Sequence, residues 1–263
     1  MSRMKYLWLF ALLGCGDANN GGGAKTIDAP PKVVDAPIDA PADAPAPVVI
    51  AAAKAHIMYL NTEGVTAHAG SDDATMDKTA LIQADLTLAP WLANQADRAT
   101  QIATVVSDIS TKLAAYDITV TTTRPTTGAY HEVVVTDDPA TKFDAGFQTV
   151  WALTTTNCNA VPSAMAFVMP GTYSTVAAER MTYVENLATG YFAFLNGLPA
   201  TAKAGDCMCF NAIQCLQQTT TACTIGGANT PVDHSQNSLA ACGWADATIW
   251  EAGAFTTAFG PHT

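Results

Sequence analysis

Apolar positions along this chain fall into two kinds of pattern. Leu92, Ala96, Ile102, Val105, Val106, Ile109, Leu113 and Tyr116 recur every three or four residues, the spacing that lines one face of an α-helix. This predicts a long helix over 90–116, with Asp97, Arg98 and Asp108 on its other faces. A second long helical pattern runs over 175–196 and is stopped by Gly197 and Pro199. Short runs rich in β-branched, aromatic or other apolar residues predict strands at 56–60 (HIMYL), 118–123 (ITVTTT), 130–136 (YHEVVVT) and 165–169 (MAFVM). A polar loop through Gly64, Gly70, Asp72 and Asp73 follows the first strand. Beyond 200 the chain is Cys-rich and irregular to about 235, and one or two closing helices then carry Trp244, Ile249, Trp250, Phe255 and Phe259. Strand, long helix, three strands, long helix, Cys-rich loop and C-terminal helix make an α/β order, with strands able to pair in parallel.

The first 47 residues follow neither pattern. Residues 1–14 carry Arg3 and Lys5, then the apolar stretch 6–13 (YLWLFALL), then Gly14, the three parts of a secretory signal. That stretch is shorter than the roughly 20 apolar residues a membrane-spanning helix needs. Leu12-Leu13-Gly14-Cys15 resembles the lipobox of bacterial lipoproteins, and the resemblance implies cleavage before Cys15 and acylation of that residue. Residues 15–47 then form a tether, Gly-rich at first and afterwards repeating Asp-Ala-Pro from Asp28, Asp35, Asp39 and Asp43. Proline fixes φ and removes a donor, so the run is expected to be extended and solvated. At roughly 3.1 Å per residue it could hold a domain spanning 48–263 up to about 90 Å from the lipid. Gly16 leaves no acidic residue immediately after Cys15, which favours the outer membrane within the cell envelope.

Composition bounds what that domain does. With 49% hydrophobic and 13% charged residues over its whole length, the chain can bury a sizeable core. Removal of Arg3 and Lys5 leaves 10 basic residues against 23 acids, a net charge of about −13. Such a surface argues against nucleic acid as a partner and against direct adhesion to anionic lipid, which leaves the N-terminal lipid as the route to the membrane. With Cys15 acylated, Cys158, Cys207, Cys209, Cys215, Cys223 and Cys242 remain. An even number in an oxidising compartment points to disulfides of unread connectivity. The alternative is a zinc cluster around Cys207, Cys209, Cys215 and Cys223, but the C-x-C spacing lacks the paired C-x2-C knuckles of common structural zinc sites.

Several strings, in their order, resemble metzincin-type zinc metalloproteases, in particular exported bacterial matrixin-like ones. They are HIMYLNTEGV, the long helix running into YDITVTTTRPTTGAYHEVVV, CNAVPSAMAFV, the second long helix, DCMCF and SQNSL. The resemblance covers about 55–259 and implies a mixed sheet with two long helices, as in collagenase-type catalytic domains. It also implies that the second long helix corresponds to the one carrying H-E-x-x-H-x-x-G-x-x-H. There two His at i and i+4 bind zinc, the Glu acts as general base, and the Gly lets the chain turn to a third His.

In this chain the three ligand positions hold Glu185, Thr189 and Leu195, the general-base position holds Asn186, and the turn glycine is Phe192. Sliding by one residue puts Glu185 at the base but Val184, Ala188 and Phe194 at the ligands. Neither register leaves a zinc site, and Asn does not act as a base. Met208, within Asp206-Cys207-Met208-Cys209-Phe210, matches the Met turn that lies beneath the metal in the family. No two of His56, His68, His131, His234 and His262 have i, i+4 spacing. His56 and His131 read as structural, and His68 with Asp72 and Asp73 is a candidate calcium loop or a solvated one.

The expectation is a lipid-anchored protein with no catalytic residues, zinc or other cofactor, whose domain binds a peptide or protein in the former substrate groove. The alternatives are an active zinc endopeptidase with a non-standard ligand set, built from Glu185 and a distant His, and a purely structural envelope protein.

Overall fold

In the computed structural model, residues 50–143, 152–154, 160–209, 221–226, 230–232 and 248–263 are described. The signal, Cys15, the tether, Cys158, Cys215 and Cys242 lie outside them. No helix among the described residues is long and apolar enough to cross a membrane.

The centre is a mixed five-stranded sheet. Its strands are β1 (Ile57–Asn61), β5 (Thr119–Thr121), β6 (Tyr130–Val135), β7 (Ala152–Thr154) and β8 (Ala164–Val168), in the order β5-β1-β6-β8-β7. β5, β1, β6 and β8 run parallel, with Ile57 opposite Thr119 and Tyr130, and Val133 opposite Ala166. β7 is antiparallel to β8 and ends the sheet. Alternation along the strands decides what each face buries. Met58, Leu60, Val133, Val135, Ala164, Ala166 and Val168 turn to one face, where the two long helices pack. Tyr59, Tyr130, Val134, Met165 and Phe167 turn to the other, against Ala67, Ala74, Ile82, Leu88 and Phe143. With both faces covered, β6 and β8 are buried throughout, which is why their sequences are continuous apolar runs rather than alternations.

The first long helix, α1 (Arg98–Leu113), buries Val105, Ile109 and Leu113 at i, i+4, i+8. It begins about two turns later than the periodicity suggests, because Leu92 takes a left-handed backbone (φ 54) and donates its N–H to Asp137 Oδ2 at 2.7 Å. Arg98 closes this entry by donating to the carbonyls of Trp91 and Thr62, each at 2.7 Å. The polar loop after β1 is more ordered than its composition implies. It forms β2 (Val65–Ala69), β3 (Lys78–Thr79) and β4 (Leu86–Leu88), a small sheet in the order β3-β2-β4 that lids the second face. Gly64 makes the turn into it at φ 80, where a Cβ would meet the Leu88 carbonyl at 2.6 Å.

After β8 comes a single-turn helix, α2 (Pro170–Tyr173), and then the second long helix, α3 (Ala177–Leu195). α3 ends in a Schellman arrangement: Gly197 at φ 83 donates to Phe194 O at 2.9 Å, and Leu198 N donates to Ala193 O at 3.2 Å. The Asn196 side chain fixes this end by accepting from Ala55 N and donating to Phe192 O. Two short strands, β9 (Thr230–Pro231) and β10 (Thr248–Ile249), pair antiparallel before the last helix, α4 (Glu251–Phe259). Ile249, expected in the closing helix, instead pairs in β10, and Trp250 stands at the helix N-cap; the part of the expected helix around Trp244 lies outside the described residues.

Candidate functional site

The C-terminal half of α3 is enclosed on every side: residues 188–195 are all buried. It is buried in one apolar cluster with the helix-bearing face of the sheet, α1, α4 and the segment that carries Met208. Phe192 packs edge-on against His131 of β6 (centroids 5.7 Å apart) and stacks on Phe259 of α4 at 5.6 Å. Leu195 and Met208 are wholly buried in the same apolar cluster. Met208 is held there by its own N–H, donated to Asp206 Oδ1 at 2.9 Å, and by its carbonyl, which accepts from Thr201 N at 2.9 Å.

The positions matched to zinc ligands do not fit a zinc ion. The Glu185 carboxyl is turned toward Asp108 and Lys112 of α1; burial raises its pKa to about 7, partly offset by the Lys112 charge. Burial in turn pushes the Lys112 ammonium below its ordinary range. The Thr189 hydroxyl is used within the helix, donating to the Glu185 carbonyl at 2.7 Å. Leu195 offers no donor atom. The helix also does not turn at Phe192 but continues to Leu195. On a continuous helix, at roughly 100° per residue, position 195 lies about 80° round the axis from 185, and position 189 about 40° the other way. Three ligands at these positions could not converge.

Asn186, at the general-base position, clasps the Cys-rich segment. Its Oδ1 accepts from Cys223 N at 2.9 Å and its Nδ2 donates to Thr221 O at 3.0 Å. Cys223 is disulfide-bonded to Cys207, and Cys209 is also disulfide-bonded. Disulfides therefore take Cys207, Cys209 and Cys223, three of the four sulfurs that the Cys-zinc alternative calls on.

No protein-family model, curated protein or solved structure matches this chain. The site is therefore read on its own geometry.

The remaining candidates from the sequence are separated in space. His68 pairs with Asp85 at 2.8 Å, while Asp72 accepts from Thr79 and Ala80 and Asp73 caps the turn at Thr75. These three side chains are committed to different local partners rather than to a common cation. His56 faces Asp117. His131 is wholly buried, and burial lowers its pKa to about 4 against opposing contacts from Asn196 and Ala164. Among the described residues no group of three or more His, Cys, Asp or Glu side chains could hold a metal.

Two polar clusters escaped the sequence reading. On the lidded face, Glu132 lies wholly buried in the apolar run of β6. It accepts from Asn61 Nδ2 at 2.7 Å and pairs with Arg124 at 3.3 Å, and Arg124 also binds Asp77 and covers the Tyr59 ring. Burial raises the Glu132 carboxyl to about 8. The glutamate inside YHEVVV was the one available signal. The second cluster joins Asp206 to Glu251 of α4, and nothing in their spacing announces it.

Proposed function

We propose that this protein is a lipoprotein, held in the cell envelope through acylated Cys15, whose metzincin-derived domain has given up zinc catalysis and works as a binding module. The carrying observation is the filling of the second long helix's inner end. Phe192 packs against His131 and Phe259, and Leu195 and Met208 are buried in the same apolar cluster, where the family resemblance calls for the turn glycine and a histidine. The mixed sheet, the two long helices in their order, the buried methionine after the second helix and the closing helix all support that ancestry. The residues at the motif positions have other work: Asn186 clasps the Cys-rich segment and Glu185 faces α1. Among the described residues β7 ends the sheet, and strand addition to such an edge is the mode we assign for an extended peptide ligand.

Two measurements on the full chain test this. The mass of the N-terminal peptide of the exported protein should carry acyl chains, and Cys15→Ser should abolish them. Fluorescence anisotropy against a library of unstructured peptides should give saturable binding unchanged by chelator, with no cleavage of the same peptides after zinc is added. Chelator-sensitive cleavage would overturn the proposal, and so would an unacylated mature N-terminus.

A further inference from the structure

Asp206 opens the turn that carries Met208, and Glu251 opens α4; the two are 2% and 0% exposed. One oxygen of each is spoken for, Asp206 Oδ1 by Met208 N at 2.9 Å and Glu251 Oε2 by Gly226 N at 2.8 Å. The other oxygens, Asp206 Oδ2 and Glu251 Oε1, receive no N–H or O–H donor from the described residues, yet the two carboxyls lie within hydrogen-bonding reach of each other. Two carboxylates cannot donate to one another, and two bare charges in an apolar interior cost far more than one. The pair satisfies both oxygens only with a proton between them.

We propose that Asp206 and Glu251 share one proton and form a pH-sensitive latch that holds the Met208 segment onto the start of α4, closed in acid and neutral medium and released in alkali. Few charges face the pair. Lys203, on the Asp206 side, favours its ionised form. Tyr116, at the end of α1, feels Glu251 and is raised by burial and by that charge. The Thr201 hydroxyl faces Asp206 without a hydrogen bond of good geometry. Burial dominates and holds both carboxyls above the ordinary carboxylate range; the Asp206 charge raises Glu251 further, whereas the hydrogen bond from Glu251 lowers Asp206, so the shared proton rests on Glu251. Loss of the shared proton leaves two adjacent buried anions, whose repulsion drives the Asp206 and Glu251 side chains apart and draws them away from the Met208 and Gly226 N–H groups that they hold. The Cys207–Cys223 bridge makes the two segments move together.

Hydrogen exchange of the Met208 and Gly226 amides in the full chain, corrected for intrinsic exchange, reads the latch directly between pH 5 and 10. Protection should be level at low pH and then fall about tenfold per pH unit once the proton leaves. Glu251→Gln and Asp206→Asn, which supply a permanent donor, should each remove that fall. Infrared spectra of the wild-type chain should show a protonated-carboxyl band that vanishes over the same range, which keeps the test open if neither variant folds. Protection unchanged to pH 10 would overturn the proposal. So would an equal fall in wild type and both variants, or protection at high pH restored by calcium alone, which would assign the pair to a cation.

Discussion

Truncating Phe192 to alanine empties the space where β6, α3 and α4 meet. The ring is wholly buried, and removal of a buried Phe costs about 3–5 kcal/mol through lost transfer energy and the cavity left behind. Two aromatic partners, His131 edge-on and Phe259 stacked, each add about 0.5–1.5 kcal/mol beyond area, which places Phe192→Ala toward the upper end, at about 4–5 kcal/mol. In a domain of this size each kcal/mol moves Tm by about 2–4 °C, so the expected loss is on the order of 10 °C or more. Urea unfolding followed by tryptophan fluorescence, with calorimetry in parallel, measures both. Val176→Ala, at a 52% exposed position, is the control and should stay within about 0.5 kcal/mol. A Phe192→Ala loss below about 1.5 kcal/mol would refute the reasoning, since it would mean that the ring lines an open groove rather than fills a core.

Three further outcomes follow from the same contacts. Glu185 has its pKa raised to about 7 from an ordinary 4.5, so its contribution to stability is complete below pH 4.5 and lost as pH rises through 7; Glu185→Gln should flatten the stability profile in that window. His131 has the opposite sign: lowered from 6.5 to about 4, it costs the fold about 3 kcal/mol as pH falls across that range, and His131→Gln should remove this loss in acid denaturation curves. Opening the Cys207–Cys223 bridge by replacing both residues with serine frees a loop of 16 residues' separation and should lower unfolding free energy by about 3 kcal/mol in the same urea assay.

Much of the architecture was legible because its patterns are long. Val105, Ile109 and Leu113 gave α1 away by spacing alone, and the continuous apolar runs of β6 and β8 reported strands covered on both faces. Boundaries set by tertiary contacts were not legible: α1 starts at Arg98 because Asp137, from beyond β6, captures the Leu92 N–H. The lid strands β2, β3 and β4 were hidden because they are two to five residues long, and they pair through backbone that sequence pattern does not report. At the site, the residue types at the motif positions could be read, but their occupations could not. That Asn186 clasps Thr221 and Cys223 and that Glu185 faces α1 depends on long-range packing. The Asp206–Glu251 contact joins residues 45 apart through a segment of little pattern.

The central claim is that the inner end of α3 is packed core and not a metal centre. Its most direct test is the zinc content of the purified full chain, measured by mass spectrometry after dialysis against buffer containing one equivalent of zinc. The account predicts far less than one tightly held zinc per chain, and a Tm unmoved by chelator. One zinc per chain, lost together with stability on chelation and reduced by Glu185→Ala, would contradict it.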